Sequence, residues 1–276
     1  MSRKRRSDSH AVAWVCGLVW AAACLTPASA ELSRHRVGSA DIAVNEMGSA
    51  GPVVVLEAGR GEDMQSWALV APALASCMRV IRYDRPGIGG SAANAPDQVV
   101  LADTVADQLL VLLRTLDLAP PYILVGHSLG GLYVQAFARL HPTATAAVVL
   151  VDAASPAEPP GVFVSPTPPA SGTVAAAEEA GVPPSIAAMN SGPPFPPVPL
   201  IVLAATDHGD TLEREALWRD VQVRTAALSP RGRLIVVEGS GHFVQQDKPA
   251  AVIQAVLQAA GMAGFDTSDC SARRGR

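Results

Sequence analysis

Six short apolar segments rich in Val, Ile and Leu recur along the chain after residue 50. Each is apolar at nearly every position rather than at alternate ones, which is typical of strands buried on both faces of a parallel sheet. The pattern therefore predicts a central sheet of mostly parallel strands. The predicted strands are residues 53–56, 80–83, 123–125, 148–151, 200–203 and 234–237.

Between several of these segments the apolar residues recur at helical spacing instead. Strands that alternate with helices predict an α/β fold in which helices flank the sheet. Two further segments, residues 35–37 and 42–45, precede the alternation and are predicted to form an antiparallel hairpin at one edge. The predicted helices are residues 67–74, 102–116, 129–140, 213–228 and 250–257.

The stretch 153–198 interrupts this alternation. It holds 12 of the 23 prolines, and because proline lacks an N–H group, no internal sheet strand is expected there. Strands and helices alternate again beyond it, so we predict an insertion within one domain, residues 31–276, rather than a linker between two domains. The insertion is predicted to form a short lid with helices near residues 174–180 and 185–190.

The first 30 residues have the organisation of a signal peptide. Basic residues at positions 3–6 precede an apolar run at 11–25, and Ala-Ser-Ala follows at positions 28–30. We therefore predict cleavage after Ala30 and a secreted or periplasmic mature protein without a membrane span. A retained anchor is the less favoured alternative, since the apolar run is shorter than the roughly 20 residues of a spanning helix.

Composition excludes several classes of protein. With 49% hydrophobic and 17% charged residues, the 276-residue chain can bury a large core and is not a disordered polyelectrolyte. A net charge of −4 and only 4% aromatic residues argue against a nucleic-acid partner. The usual metal and dinucleotide motifs are absent from the sequence, so no cofactor and no metal are expected.

Ser128 is the candidate nucleophile. It is the serine of a G-x-S-x-G sequence at residues 126–130, which lies between a predicted strand and a predicted helix. Glycines on both sides allow the sharp turn of a nucleophile elbow, which exposes the hydroxyl at the carboxyl end of the strand. The motif alone arises often by chance, so its position between strand and helix is what supports the assignment.

A serine hydroxyl needs a base and an orienting acid. His242 is the favoured base because it follows a predicted strand and therefore lies at the same sheet edge as Ser128. His208 also follows a strand and is the rival base. Carboxylates at this edge are Asp152, and Asp207 or Asp210 after the next strand, and their spacing does not choose between them.

The order Ser, Asp, His along alternating strands and helices resembles the α/β-hydrolase fold family. Residues 83–91 are similar to that family's D-x-P-G-x-G-x-S segment, which is structural. The family usually places its acid after the strand at 200–203, but here that position is His208. A minority of the family carries the acid after the preceding strand instead. Exported esterase-like members with a similar S-G-H-F sequence at the histidine resemble that minority. The resemblance therefore favours Asp152 as the acid, with Asp207 as the alternative.

The resemblance also implies an oxyanion hole and a disulfide. One backbone donor is expected from Leu129, the residue after the nucleophile. The other is expected from Arg60, whose loop takes the place of the family's strand-H-G-x loop, and its side chain is expected to be solvated rather than to bind substrate. The fold would bring together the ends of two helices on one face of the sheet, which predicts a bridge between Cys77 and Cys270.

These features predict an exported serine hydrolase that cleaves small carboxylic esters through an acyl-enzyme intermediate. The alternatives keep the same three side chains but change the reaction: a peptidase, lactonase, thioesterase, acyltransferase or cofactor-free perhydrolase. A non-catalytic binding protein on the same scaffold is the least favoured, since candidates for all three positions are present.

Overall fold

The structure, a computed structural model, describes residues 31–92, 99–163, 167–268 and 270. The predicted signal peptide, residues 1–30, lies outside the described residues. Within the part that is described, no helix is both long and apolar enough to cross a membrane. The strands are β1 (Glu31–Val37), β2 (Ala40–Met47), β3 (Val53–Glu57), β4 (Arg79–Tyr83), β5 (Tyr122–His127), β6 (Thr145–Val151), β7 (Leu200–Ala205) and β8 (Gly232–Val237).

All eight of these strands form one sheet in the order β1-β2-β4-β3-β5-β6-β7-β8. The first two pairings, β1 with β2 and β2 with β4, are antiparallel, and the remaining five are parallel. The predicted α/β fold, the mostly parallel sheet and the edge hairpin are therefore confirmed. The central strands β5, β6 and β7 are buried almost throughout, which accounts for their continuous apolar sequence.

Helices cover both faces of the sheet and separate two apolar cores. One core lies between the sheet and the helices α2 and α3, and the other between the sheet and the helices α1 and α7. Each helix therefore buries its apolar side against strands that are apolar on both faces. The helices are α1 (Ala71–Leu74), α2 (Ala102–Thr115), α3 (Leu129–Leu140), α4 (Val174–Ser191), α5 (Leu212–Ala226), α6 (Val244–Asp247) and α7 (Pro249–Met262).

One predicted helix is divided in the structure. The helix predicted at 67–74 is instead a 3₁₀ turn, Met64–Trp67, followed by the short α1. The Asp63 side chain accepts a hydrogen bond from the Gln65 amide and so begins the 3₁₀ turn early. Pro72, which has no N–H group, is best accommodated in the first turn of a helix, and α1 accordingly begins one residue before it.

The Pro-rich insertion between β6 and β7 contains one long helix, α4, where two short ones were predicted. Pro183 and Pro184 lie inside this helix. The Ser185 hydroxyl donates to the Gly181 carbonyl and accepts from the Ala102 amide at the start of α2. The prolines leave the carbonyls of Glu179 and Ala180 without their usual helical donors. The bond from the Ala102 amide ties α4 to the body of the domain just beyond the proline pair.

A disulfide joins Cys77, after α1, to Cys270, after α7, with a Cα–Cα distance of 5.3 Å. Both cysteines pack against the core that contains α1 and α7. The two helix ends therefore meet on one face of the sheet, which is the arrangement predicted for this pairing.

Parallel strands direct all their carboxyl ends to one edge of the sheet. Ser128 follows β5, Asp152 follows β6, and His208 and His242 lie in the loops after β7 and β8. Four chemically active side chains, far apart in sequence, are thereby brought to one place.

Candidate active site

Ser128 occupies a sharp turn between β5 and α3. Its backbone has φ 51° and ψ −123°, a conformation that non-glycine residues rarely adopt. A Cβ atom on Gly126 would lie 2.5 Å from the Gly130 carbonyl oxygen, and one on Gly130 would lie 2.4 Å from the Ala58 carbonyl oxygen. Both flanking glycines are therefore needed because backbone passes too close for any side chain, which is the physical reason for the G-x-S-x-G sequence.

His242 contacts the Ser128 hydroxyl directly. Its Nε2 atom lies 2.9 Å from Ser128 Oγ, a hydrogen bond in which the hydroxyl donates to the ring. The His242 backbone is held by His127, whose Nε2 atom donates to the His242 carbonyl at 3.0 Å. His127, the variable residue of the elbow, therefore supports the position of His242 and does not contact the nucleophile's hydroxyl in the described hydrogen bonds.

Asp152 lies on the other side of the His242 ring. His242 Nδ1 is 2.7 Å from Asp152 Oδ2, so Ser128, His242 and Asp152 form a continuous chain of hydrogen bonds. Asp152 is fully buried and has a φ of 43°. Its other oxygen, Oδ1, accepts from Trp218 Nε1 at 2.8 Å and from the Ala205 amide at 3.0 Å.

Two histidines share the Oδ2 atom of Asp152 as their hydrogen-bond acceptor. Oδ2 accepts from His208 Nε2 at 2.8 Å in addition to His242. Burial alone would raise the pKa of Asp152, but the hydrogen bonds and charges of His208 and His242 hold it well below its usual range. Asp152 is therefore a fixed carboxylate that accepts four N–H groups.

In the described hydrogen bonds, neither Asp207 nor His208 takes the place of Asp152 or His242. Asp207 is exposed, and its backbone amide donates to the Ser240 carbonyl. His208 reaches the site, but its described contacts are with Asp152 and Glu215 rather than with the Ser128 hydroxyl. The structure thus brings together Ser128, His242 and Asp152, with His208 behind the acid.

His208 has carboxylates on both sides. Its Nδ1 atom is 2.8 Å from Glu215 Oε2, and its backbone amide donates to Glu215 Oε1. The hydrogen bond to Asp152 and the neighbouring negative charges raise the pKa of His208 to about 9. The sequence offered one signal for this contact, a histidine at the position where related proteins carry the acid, but Glu215 and Trp218 on α5 were not anticipated.

Two backbone amides next to Ser128 are free to bind an oxyanion. Among the described hydrogen bonds, none has the amide of Arg60 or of Leu129 as its donor. Both residues line the cavity onto which Ser128 opens. The Arg60 side chain, expected to be solvated, instead forms an ion pair with Glu179 on α4.

The loop that carries Arg60 is fixed by a buried charge cluster. Arg85 donates to the carbonyl oxygens of Ala58 at 2.8 Å and Gly59 at 2.6 Å, and it pairs with Glu57 and Glu178. Glu178, from α4, also accepts from the Gly61 amide at 2.8 Å. Hydrogen bonds therefore hold the loop on both sides of Arg60, and the insertion helix α4 contributes one of them through Glu178.

A cavity of about 770 Å³ lies in front of Ser128, between the carboxyl edge of the sheet and the insertion. Its volume is that of a typical small-molecule site. Residues of the insertion and of α5 form much of its apolar wall. The apolar lining includes Leu129, Pro159, Phe163, Val182, Ile186 and Trp218.

Asp152, His208 and His242 bring a carboxylate oxygen and two ring nitrogens within 4.8 Å of one another. Ligand atoms around a tetrahedral zinc ion would be separated by about 3.3 Å. Here the two nitrogen–oxygen distances are 2.7 and 2.8 Å, which are hydrogen-bond distances with a proton between the atoms. We therefore assign these contacts to hydrogen bonding and place no metal there.

Comparison with known proteins agrees with the fold. The family described as alpha/beta hydrolase fold matches residues 52–180. YqjL of Bacillus subtilis, an uncharacterised protein, is 25% identical over 213 residues, covering 76% of this chain and 83% of that protein. The dihydrolipoyllysine-residue acetyltransferase component of the acetoin cleaving system from Pseudomonas putida is 38% identical over 107 residues, covering 39% of this chain but only 28% of that protein.

Solved structures give the same result over more of the chain. A thermophilic esterase from Thermogutta terrifontis superimposes with a TM-score of 0.66 at 20% identity, covering 85% of this chain and 99% of that chain. At this identity the likeness concerns the fold. Together with the matched family model and the strand order, it shows that the chain has the α/β-hydrolase fold.

Proposed function

We propose that this protein is a serine hydrolase that cleaves small carboxylic esters through an acyl-enzyme intermediate. The observation that carries the proposal is the chain of hydrogen bonds from Ser128 through His242 to Asp152, which opens onto a cavity beside two free backbone amides. A nucleophile, a base, an orienting acid and an oxyanion site are the four parts that acyl transfer requires.

The geometry gives each side chain a step in the reaction. The Ser128 oxygen attacks the acyl carbon while its proton passes to His242 Nε2, 2.9 Å away. Asp152, which is ionised and 2.7 Å from Nδ1, stabilises the imidazolium that forms. The amides of Arg60 and Leu129 donate to the oxyanion. His242 then protonates the leaving alcohol. In the second half of the reaction, His242 takes a proton from water, the water oxygen attacks the acyl carbon, and the proton returns to the Ser128 oxygen as the acid is released.

The shape and polarity of the cavity support a small apolar acyl substrate. The walls beside Ser128 are mainly aliphatic and aromatic, and the nearby charges of Arg60 and Arg214 are neutralised by Glu179 and Asp210. A neutral ester can enter such a site without leaving a charged group unpaired.

A partitioning experiment tests the acyl-enzyme directly. Phenyl butyrate and p-nitrophenyl butyrate share an acyl group but differ in leaving group, so a common acyl-enzyme must divide identically between water and added methanol. We expect the same ratio of methyl butyrate to butyrate from both esters, measured by gas chromatography.

A ratio that changes with the leaving group would contradict the common intermediate. Failure of a folded preparation to turn over any ester in an acyl panel would contradict esterase activity altogether. Preferential formation of methyl butyrate even at low methanol concentration would favour an acyltransferase.

Export is part of the same proposal. A disulfide between Cys77 and Cys270 supports an oxidising location, since such bridges are rare in the reducing cytoplasm. The segment 1–30 has the sequence of a signal peptide. A secreted or periplasmic protein processed after Ala30 accounts for both features.

A further inference from the structure

We propose that His208 is a positioning residue held as an imidazolium between Asp152 and Glu215, and that its fixed positive charge keeps Asp152 ionised and hydrogen-bonded to His242. The proposal rests on the proposed hydrolase function for its kinetic consequence. The charge state of His208 stands independently of that function.

The hydrogen-bond geometry requires the charge. His208 Nε2 lies 2.8 Å from Asp152 Oδ2, and Nδ1 lies 2.8 Å from Glu215 Oε2. Carboxylates only accept hydrogen bonds, so both ring nitrogens must donate. A neutral imidazole carries one N–H group and only the imidazolium carries two. The ring is largely shielded from solvent, with 14% of its side chain exposed, so water cannot easily replace either partner.

The other charged groups around His208 do not cancel this arrangement. Arg214 pairs with Asp210, four residues before it on the chain, and Trp218 meets the His208 ring edge-on with the centroids 6.0 Å apart. Glu158, on the far side of Asp152, has its pKa raised to about 7 by burial, so it carries only part of a charge at neutral pH. The remaining ionisable groups that contact or face the His208 ring are Asp152, Glu215 and His242.

The positive charge acts on His242 through their shared acid. The two rings donate to the same oxygen of Asp152, and their centroids are 6.3 Å apart. The positive charge of His208 favours the ionised form of Asp152 and helps to lower its pKa. Asp152 therefore stays a carboxylate that accepts from His242 Nδ1 when the pH falls.

Glu215 is needed to keep the charge in place. If the carboxylate becomes an amide, its NH₂ group can donate to His208 Nδ1 while Nε2–H still donates to Asp152. The neutral ring then satisfies every contact. Glu215→Gln should thus discharge His208 with little change in shape, which separates the effect of the charge from that of the side chain.

The charge itself is tested by NMR, without any need for activity. In ¹⁵N-edited spectra of the wild-type protein in EDTA, with His208 assigned by comparison with His208→Gln, both ring nitrogens should remain protonated at neutral pH. The proton should be lost as the pH rises through about 9. A neutral tautomer of His208 at pH 7 in the wild type would overturn the proposal even if the enzyme proved to be an active esterase.

The role of the charge is tested by the pH profile of kcat/KM. His208→Gln, which removes the positive charge beside Asp152, should move the midpoint of the acid limb upward by about one pH unit; Glu215→Gln, which discharges His208 but also removes its own negative charge, should move it upward by less. Asp207→Asn is the matched control, because it also removes one carboxylate charge beside His208 but from an exposed side chain, and it should leave the midpoint unchanged.

A merely structural His208 would give a different result. Its replacement would lower kcat/KM equally at every pH and leave the midpoint where it was, and Glu215→Gln would have no parallel effect. That pattern would overturn the proposed role of the charge, whereas inactivity of the wild-type protein towards all esters would count against the proposed function instead.

Discussion

Replacing Ser128 with alanine is expected to lower kcat/KM for ester hydrolysis by about 10⁴- to 10⁶-fold, the loss that follows removal of a nucleophile from such a triad. Among the described hydrogen bonds, His242 Nε2 contacts the Ser128 hydroxyl alone. Without it, the oxyanion amides and the cavity retain only the residual rate due to binding. Initial rates on p-nitrophenyl butyrate measure the loss.

A matched control is Ser76→Ala. The Ser76 hydroxyl donates to the Ala73 carbonyl beside α1, and Ser76 is not among the residues that line the cavity. This variant should retain the wild-type rate. If Ser128→Ala, folded by circular dichroism, hydrolysed the ester within tenfold of the wild type, another residue would have to be the nucleophile.

Replacing Arg85 with methionine should lower the free energy of unfolding by about 3–5 kcal/mol, the cost of leaving buried charges without a partner. The Arg85 guanidinium is 3% exposed and pairs with Glu57 and Glu178, each of which is 1% exposed. Burial raises the pKa of Glu57 even with Arg85 present. Urea unfolding followed by circular dichroism measures the change.

Arg79→Met is the matched control, because Arg79 pairs with Glu46 at the surface and its side chain is 36% exposed. That substitution should cost less than about 1 kcal/mol. If Arg85→Met does not fold, Glu178→Gln provides the measurement: it keeps the shape, removes one charge, and should cost about 1–3 kcal/mol. Equal stability of the Arg85 and Arg79 variants would show that the buried cluster does not stabilise the fold.

The positions of Ser128 and His242 could be predicted from sequence because both depend on local rules. Each follows a short apolar strand, and parallel strands deliver their carboxyl ends to one edge. Gly126 is required by the backbone of Gly130, four residues along the chain. The mostly parallel direction of the strands could be predicted as well, since continuous apolar segments indicate a sheet buried on both faces.

Contacts between distant side chains could not be predicted in this way. The choice between Asp152 and Asp207 depends on which backbone directs its side chain inward, and the Asp152 φ of 43° is a property of the folded chain. The pairing of Glu178 with Arg85 spans 93 residues and depends on where the insertion helix packs. The helix itself runs through two prolines and is joined to the start of α2 by a tertiary hydrogen bond at Ser185, neither of which local propensity indicates.

If the Ser128 oxygen is the nucleophile and His242 activates it, Ser128 should react with diethyl p-nitrophenyl phosphate, an organophosphate that traps activated serines. Intact-mass and peptide-mapping analysis of the treated protein locates the adduct. We expect one diethylphosphoryl group, located on Ser128, and no adduct in His242→Ala under the same conditions. An adduct on another residue, or equal labelling of Ser128 without His242, would contradict this assignment.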